Sequence, residues 1–304
     1  MDNGILLLNK EDNITSNFVI NKIKRILNQK DITCKKIGHA GTLDPNAKGV
    51  LVVLINGATK LSDYLLAKDK EYIAEIEIGR SYDTLDIWGK LEEEKKLEKD
   101  DLDKIKANID EVLNSFKGKL KQLPPMYSSL KINGRKLYEI ARNNESVDIS
   151  SKEREVEIFE IKRLNDPFLT SNHTIRFSIS CKVSKGTYIR SLAKMIGERL
   201  GYPSCMSGLT RTKSGEFDIK DSYTINDIEL GKYQLIKMID CIKNMKILDA
   251  DDKLYSDCIN GRFIDNNILN LKDERIAIKY NDDLLAIYEL DKNNNRYKAK
   301  TVWN

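Results

Sequence analysis

Residues 38–57 read "GHAGTLDPNAKGVLVVLING". The second half, 49–57, is an unbroken apolar run between glycines. A short run without polar alternation predicts a strand buried on both faces. The first half is a glycine-rich turn around one carboxylate, Asp44, with Pro45 behind it and His39, one of only two histidines in the chain, shortly before it. Pro45 disfavours helical backbone at Asp44 and biases it toward extended geometry. The stretch therefore predicts a carboxylate held in a loop at the start of a core strand. Two readings are open: the aspartate caps its own turn, as Asp often does, or it does chemistry. Several chemistries lack their partners. A phosphoryl-accepting aspartate wants a second carboxylate two positions on to hold magnesium, and Asn46 stands there. A retaining glycosidase needs a partner carboxylate about 5 Å away, and none can be named from the sequence. His39 and His173 are far apart, without metal-ligand spacing, so no metal site is expected. What remains is covalent catalysis by a lone carboxylate. Such a group needs a cation nearby to stay ionised.

Working outward, "GILLLNK" (4–10) predicts a buried strand, and "TSNFVINKIKRILNQK" (15–30) a helix capped by Thr15 or Ser16, with Val19, Ile23, Ile26 and Leu27 at helical spacing. "EYIAEIEIG" (71–79) alternates, which sets Tyr72, Ala74, Ile76 and Ile78 on one face and Glu75 and Glu77 on the other. A charge run (90–101), read as solvated surface, leads to a helix with a stripe of Leu102, Ile105, Ile109, Val112 and Phe116 and a cap at Asp100 or Asp101. "QLPPMYSSLKINGRKLYEIARN" (122–143) predicts a proline-stiffened loop, a turn at Asn133-Gly134 and a helix. Strands are expected near 154–163 and 174–183. The segment "SKGTYIRSLAKMIGERLG" then predicts a helix with Ile189, Leu192, Ile196 and Leu200 inward and Gly201 as its stop. Past 247, alternating runs separated by Asn/Asp turns predict a small β-rich unit. The expected domains are 1–246 and 247–304.

Two further segments carry candidate chemistry. Tyr188 and Arg190 fall at the first turn of their helix, where backbone N–H groups favour anions, so Arg190 suits a carboxylate or a phosphate; a plain surface arginine is the alternative. Tyr127, Lys131, Arg135 and Lys136 interleave aromatic and basic residues on a stiff loop, a composition suited to RNA, though surface lysines also produce it. Tyr72 is either core packing or a stacking platform.

Bulk properties set bounds. The 304 residues are 40% hydrophobic and 32% charged, with a net charge of +4, which describes a globular chain with a weak bias toward anionic partners. Residues 247–304 hold nine Lys/Arg against eleven Asp/Glu, so a polyanion site belongs mainly to the first 246 residues. Five widely spaced cysteines with no C-x-x-C pair argue against a disulfide framework or zinc site and fit a reducing compartment. No apolar stretch reaches the length of a membrane span, and "MDNGILLLNK" has no basic leader. A cytoplasmic protein, monomeric and not membrane-bound, is expected.

Taken in order, "GHAGTLDPNAKGVL", "GATKL", "KEYIAEIEIG", "QLPPMYSSLKINGRKLYEIAR", "SKGTYIRSLAKMIGERLG" and "SGLTRTKSGEF" resemble the TruB family, the tRNA pseudouridine-55 synthases. The likeness runs from about residue 5 to residue 217, and the last sixty residues are similar to the small C-terminal RNA-binding, PUA-like domain of bacterial members. The resemblance implies a mixed α/β (α+β) pseudouridine synthase fold, with a largely antiparallel central sheet flanked by helices. It implies isomerisation of the T-loop uridine of tRNA without a cofactor. It also assigns roles: Asp44 as nucleophile, Arg190 as its partner and Tyr72 stacking on uracil with a share in proton transfer. Tyr188 and Leu209 line the base pocket, His39 holds the extruded loop nucleotides, and Lys131 joins the substrate-binding set. A non-catalytic tRNA-binding chaperone on the same fold is the alternative; it would be expected to have lost Asp44 or Arg190, and both are present.

Two departures stand out. Family members carry a "KPxG" turn after the first strand, whereas this chain reads Lys10-Glu11-Asp12-Asn13. Ala40 and Lys48 also stand where other small or hydroxylated residues are common; Lys48 is a candidate phosphate contact.

Overall fold

Residues Lys48–Ile55 form a strand, and every residue after Lys48 in it is buried. The computed structural model, which describes residues 3–143, 145 and 147–303, explains that burial by covering the strand on two sides. The main path of the central sheet is built from β1 (Gly4–Lys10), β2 (Lys48–Ile55), β3 (Lys70–Ile78), β4 (Gly118–Gln122), β5 (Arg154–Arg163), β6 (Ile175–Val183) and β7 (Ser204–Ser214). Their order is β1-β2-β7-β3-β6-β5-β4. All neighbours are antiparallel except β2 and β7, which run parallel and meet through two residue pairs, Thr210 with Lys48 and Arg211 with Gly49.

That parallel seam divides the sheet into two differently covered parts. On one face of β1 and β2, Leu6, Leu8, Leu51 and Val53 pack on Val19, Ile23 and Leu27 of helix α1 (Ser16–Gln29). On the other face, Ile5, Leu7, Val50 and Val52 pack on Ala277, Leu284, Ile287 and Trp303 from the end of the chain. With both faces occupied, continuous rather than alternating apolar sequence is required. Each fully buried Val, Leu or Ile is worth about 1.5–3 kcal/mol.

Beyond the seam only one face is covered. Ala74, Ile76 and Ile78 of β3 join Phe177 and Ile179 of β6 beneath helices α2 (Lys99–Asn114) and α3 (Ile189–Leu200). The opposite face is polar, as the alternation in 71–79 predicts. Glu77 is nonetheless buried there, in an ion pair with Arg176 at 2.6 Å.

Most expected boundaries hold to within a residue or two. Thr15 caps α1, its hydroxyl accepting from the Phe18 N–H. Asn133 and Gly134 both take positive φ between Lys131–Ile132 and Arg135–Lys136, as a two-residue hairpin demands. Gly201 ends α3 in the left-handed conformation. One cap differs: α2 starts after Glu98, not at Asp100 or Asp101, and the Asp101 carboxylate instead accepts the Glu98 backbone N–H. Acidic residues at both ends of the first turn make the choice invisible in sequence. Phe116 lies past the end of α2 yet stays buried.

The chain ends in a second sheet of β8 (Lys246–Asp249), β9 (Ile264–Asp265), β10 (Arg275–Tyr280), β11 (Asp283–Asp291) and β12 (Arg296–Val302), ordered β8-β10-β11-β12-β9. It has its own apolar cluster around Tyr288 and Tyr297. It is also fastened to the first sheet, because the buried Trp303 indole donates to the Gly57 carbonyl at 2.7 Å. Among the described residues no helix is long and apolar enough to cross a membrane.

Candidate active site

In the loop between Ile37–His39 and β2, the carbonyls of Gly41, Thr42, Leu43 and Pro45 accept from side chains on other elements. Arg211 of β7 donates to the carbonyls of Gly41 (3.0 Å), Thr42 (3.4 Å) and Val50 (2.9 Å). Ser16, in the first turn of α1, donates to the Leu43 carbonyl and accepts its N–H, at 2.9 and 3.0 Å. Lys10, at the end of β1, donates to the Pro45 carbonyl at 2.9 Å. The Asp44 carbonyl accepts locally from the Ala47 N–H. Arg211, Ser16 and Lys10 are all buried. Donors fixed by packing on three separate elements hold the loop in one shape, which leaves the Asp44 side chain, 42% exposed, as its presented group.

The cation expected beside it is Arg190. Its Nη2 lies 2.9 Å from Asp44 Oδ2, and its own side chain is only 6% exposed. The remaining donors are aimed by neighbours: Nη1 donates to the Thr84 carbonyl and Nη2 to the Tyr127 carbonyl, both at 3.0 Å. A second carboxylate shares this guanidinium, with Asp86 Oδ2 3.9 Å from Nη1. Burial pushes the Asp86 carboxyl up, against the opposing pull of the Thr84 hydroxyl, Arg190 and the Trp88 N–H. The Thr84 hydroxyl donates to Asp86 Oδ1 at 2.6 Å. One buried arginine thus ties together the Asp44 loop, the turn at 84–86 and the stiff loop at Tyr127.

Tyr72 pairs with Arg211 across β3 and β7 and packs, partly exposed, on the apolar cluster beneath α2 and α3. Burial raises its phenol, and Asp44 is close enough to add to the rise. Leu209, two residues before Arg211 and so on the same face of β7, touches the apolar clusters on both sides of the seam. Tyr188 caps α3 and is locked by Gln122, which accepts its N–H at 2.7 Å and donates to its carbonyl at 3.0 Å. The Arg154 guanidinium sits 4.7 Å from its ring centre. His39 is half-buried, and burial together with Arg211 lowers its pKa, which favours the neutral ring; its Nδ1 is buried without a hydrogen-bond partner.

Lys131 is exposed on its hairpin, and no described hydrogen bond or ion pair ties it to the Asp44–Arg190 pair. Lys48 is ion-paired with Asp12 at 3.0 Å, so two positions where the sequence departs from the family pattern meet each other. The residues that sequence reasoning passed over are Asp86, Arg211, Lys10 and Ser16. Nothing in "SYDTLDIWG" separates Asp86 from Asp83 until the fold buries one of them. Arg211 did carry a signal: it lies two residues beyond Leu209 on a strand, hence beside it.

The mixed, largely antiparallel sheet that carries this site is an architecture found in other proteins. Solved structures sharing it include a Cbf5-Nop10-Gar1 complex (TM-score 0.64, 24% identity, covering 99% of this chain and 84% of that one) and an H/ACA RNP bound to a substrate RNA containing 2′-deoxyuridine (0.64, 22%, 99% and 85%). At these identities the likeness speaks for the fold. The family described as TruB family pseudouridylate synthase (N terminal domain) matches residues 24–189. Full-length relatives named tRNA pseudouridine synthase B include those of Staphylococcus saprophyticus (40% identical over 299 residues, 95% of each chain) and Staphylococcus aureus (41% over 315 residues, all of each chain). A third, from Listeria innocua, is 38% identical over 297 residues, covering 94% of this chain and 93% of its own. The chain belongs to the TruB family.

Proposed function

We propose that this protein is a tRNA pseudouridine synthase that isomerises the uridine at position 55 of the T-loop, with Asp44 as the nucleophile. The observation that carries the reading is the Asp44–Arg190 pair at 2.9 Å, a carboxylate open to a substrate and held by a buried cation. The reaction breaks the N1–C1′ bond, turns the uracil and joins C5 to C1′; a proton leaves C5 and one is gained at N1. No electrons are gained or lost, so the chemistry calls for neither a redox cofactor nor ATP.

A carboxylate serves by bonding transiently to the nucleoside, at C1′ or at C6. The uridine is stacked inside the T-loop and must be flipped out, at a cost of a few kcal/mol. Stacking on Tyr72 returns about 1–3 kcal/mol of that. Arg190 keeps Asp44 ionised and aimed, and Asp86 holds Arg190 from its other side. Tyr188 and Leu209 form walls against which the detached base turns, and His39 and Lys131 contact the surrounding RNA. The partner is the tRNA T-stem-loop, met by a monomer in the cytoplasm. Residues 1–246 form the catalytic domain and 247–304 a PUA-like accessory unit.

Tritium release from C5-labelled uridine in a T-stem-loop transcript tests this. Asp44→Asn is expected to bind the transcript and release nothing. Release at the wild-type rate from that variant removes Asp44 from the chemistry, and binding without release by the unaltered protein leaves only the chaperone reading.

A further inference from the structure

Among the described residues Arg211 is the largest side chain essentially sealed from solvent, at 1% exposure. No described carboxylate lies within ion-pair distance of it. A buried cation without a counter-ion carries a desolvation cost that its hydrogen bonds must offset. Its donors are spent elsewhere, on the carbonyls of Gly41, Thr42 and Val50, which flank Asp44 on both sides in the sequence. Arg211 is also the cross-strand partner of Tyr72. By charge and hydrogen bonding it opposes the rise that burial imposes on that phenol. Its backbone is pinned as well: it pairs with Gly49, where a Cβ would collide with the Arg211 carbonyl oxygen.

We propose that Arg211 is a positioning residue, a single buried guanidinium that fixes the Asp44 loop against the strand carrying Tyr72, its cross-strand partner, across the parallel seam. The proposal rests on the reading of Asp44 and Tyr72 given above. Its chemical sense is that the nucleophile and the aromatic platform sit on different strands, β3 and the loop before β2, which are not hydrogen-bonded neighbours. A planar fork with five donors serves the Gly41, Thr42 and Val50 carbonyls together while the Arg211 backbone pairs with Tyr72; a lysine ammonium, with three donors on one atom, cannot serve all three.

The test compares Arg211→Met, Arg211→Lys and Asp44→Asn for thermal unfolding, T-stem-loop binding and single-turnover conversion. Arg211→Met is expected to bind the transcript within about threefold of wild type while conversion falls on the order of 10²-fold, the scale of a misplaced reacting group. Arg211→Lys, keeping the charge but not the fork, should fall between the two. In a cycle with Tyr72→Phe, the Met and Phe losses should be markedly less than multiplicative, a readout that a general loss of stability would not produce. Conversion by Arg211→Met at the wild-type rate, or fully multiplicative losses, overturns the proposal. If the Met variant does not fold, the Lys variant decides alone, and conversion at the wild-type rate overturns it. Activity surviving in Asp44→Asn would instead strike the underlying site reading, so the two failures are separate.

Discussion

Arg190 approaches the Asp44 carboxylate to 2.9 Å from the first turn of a helix, and the arginine is the buried member of the pair. This asymmetry suits the role proposed for Asp44, a nucleophile open to substrate while its counter-ion stays dry. Arg190→Lys keeps the charge and loses the fork that also serves Thr84, Tyr127 and Asp86. Conversion is expected to fall about 10²–10³-fold, with transcript affinity largely kept. A variant within tenfold of wild type would show that charge alone suffices.

Lys10 gives a pH signature. Burial lowers its pKa from 10.5 to about 8, with Asp12 and Asp44 opposing the shift and Arg211 adding to it. The folded protein therefore binds fewer protons at this site than the unfolded chain between about pH 8 and pH 10.5, and over that window stability rises with pH. Below about pH 8 the lysine is charged in both states and contributes no slope. Measured by urea unfolding, the stability of wild type relative to Lys10→Met should climb across the window. A flat difference would show that the lysine titrates alike in both states.

Gly49 has φ near +107° and no room for a side chain against Arg211. Gly49→Ala combines backbone strain with overpacking at the seam, each costing about 1–3 kcal/mol. A loss of about 3 kcal/mol in chemical unfolding is expected, with conversion per folded molecule also reduced because the Asp44 loop ends there. A neutral substitution would mean the seam opens easily.

How much of this was legible in the sequence depends on whether the signal is local. The double-sided burial of β2, the alternation in β3, the Thr15 cap and the Gly201 stop are set by neighbours in the chain, and they read correctly. The Asp44–Arg190 pair came through the need of a lone carboxylate for a cation and through family resemblance, since no periodicity joins positions so far apart. Asp86, Lys10 and Ser16 were illegible for that same reason. Each matters only because folding buries it against the Asp44 loop or its arginine, and burial of a single polar residue leaves no pattern in sequence. The cap of α2 was misplaced because consecutive acidic residues compete for one role.

From sequence the end of the chain reads as a small β-rich unit, and in the structure Trp303 and Ile287 join the cluster under β1 and β2. Trp303→Ala is therefore expected to destabilise the whole protein by about 3–5 kcal/mol. Calorimetry should show one unfolding transition in the wild type, and two resolved transitions would establish that the sheets melt independently.

The two ladder rungs between β2 and β7 are the hydrogen-bonded stitch between blocks that otherwise build their sheets separately. Asp44 precedes one side of that stitch, and Arg211 lies on the other. On refolding, each block can collapse around its own apolar residues, but the reactive geometry exists only once they have docked in register. On the proposed reading of Asp44, regain of turnover is expected to report completed docking of the two blocks.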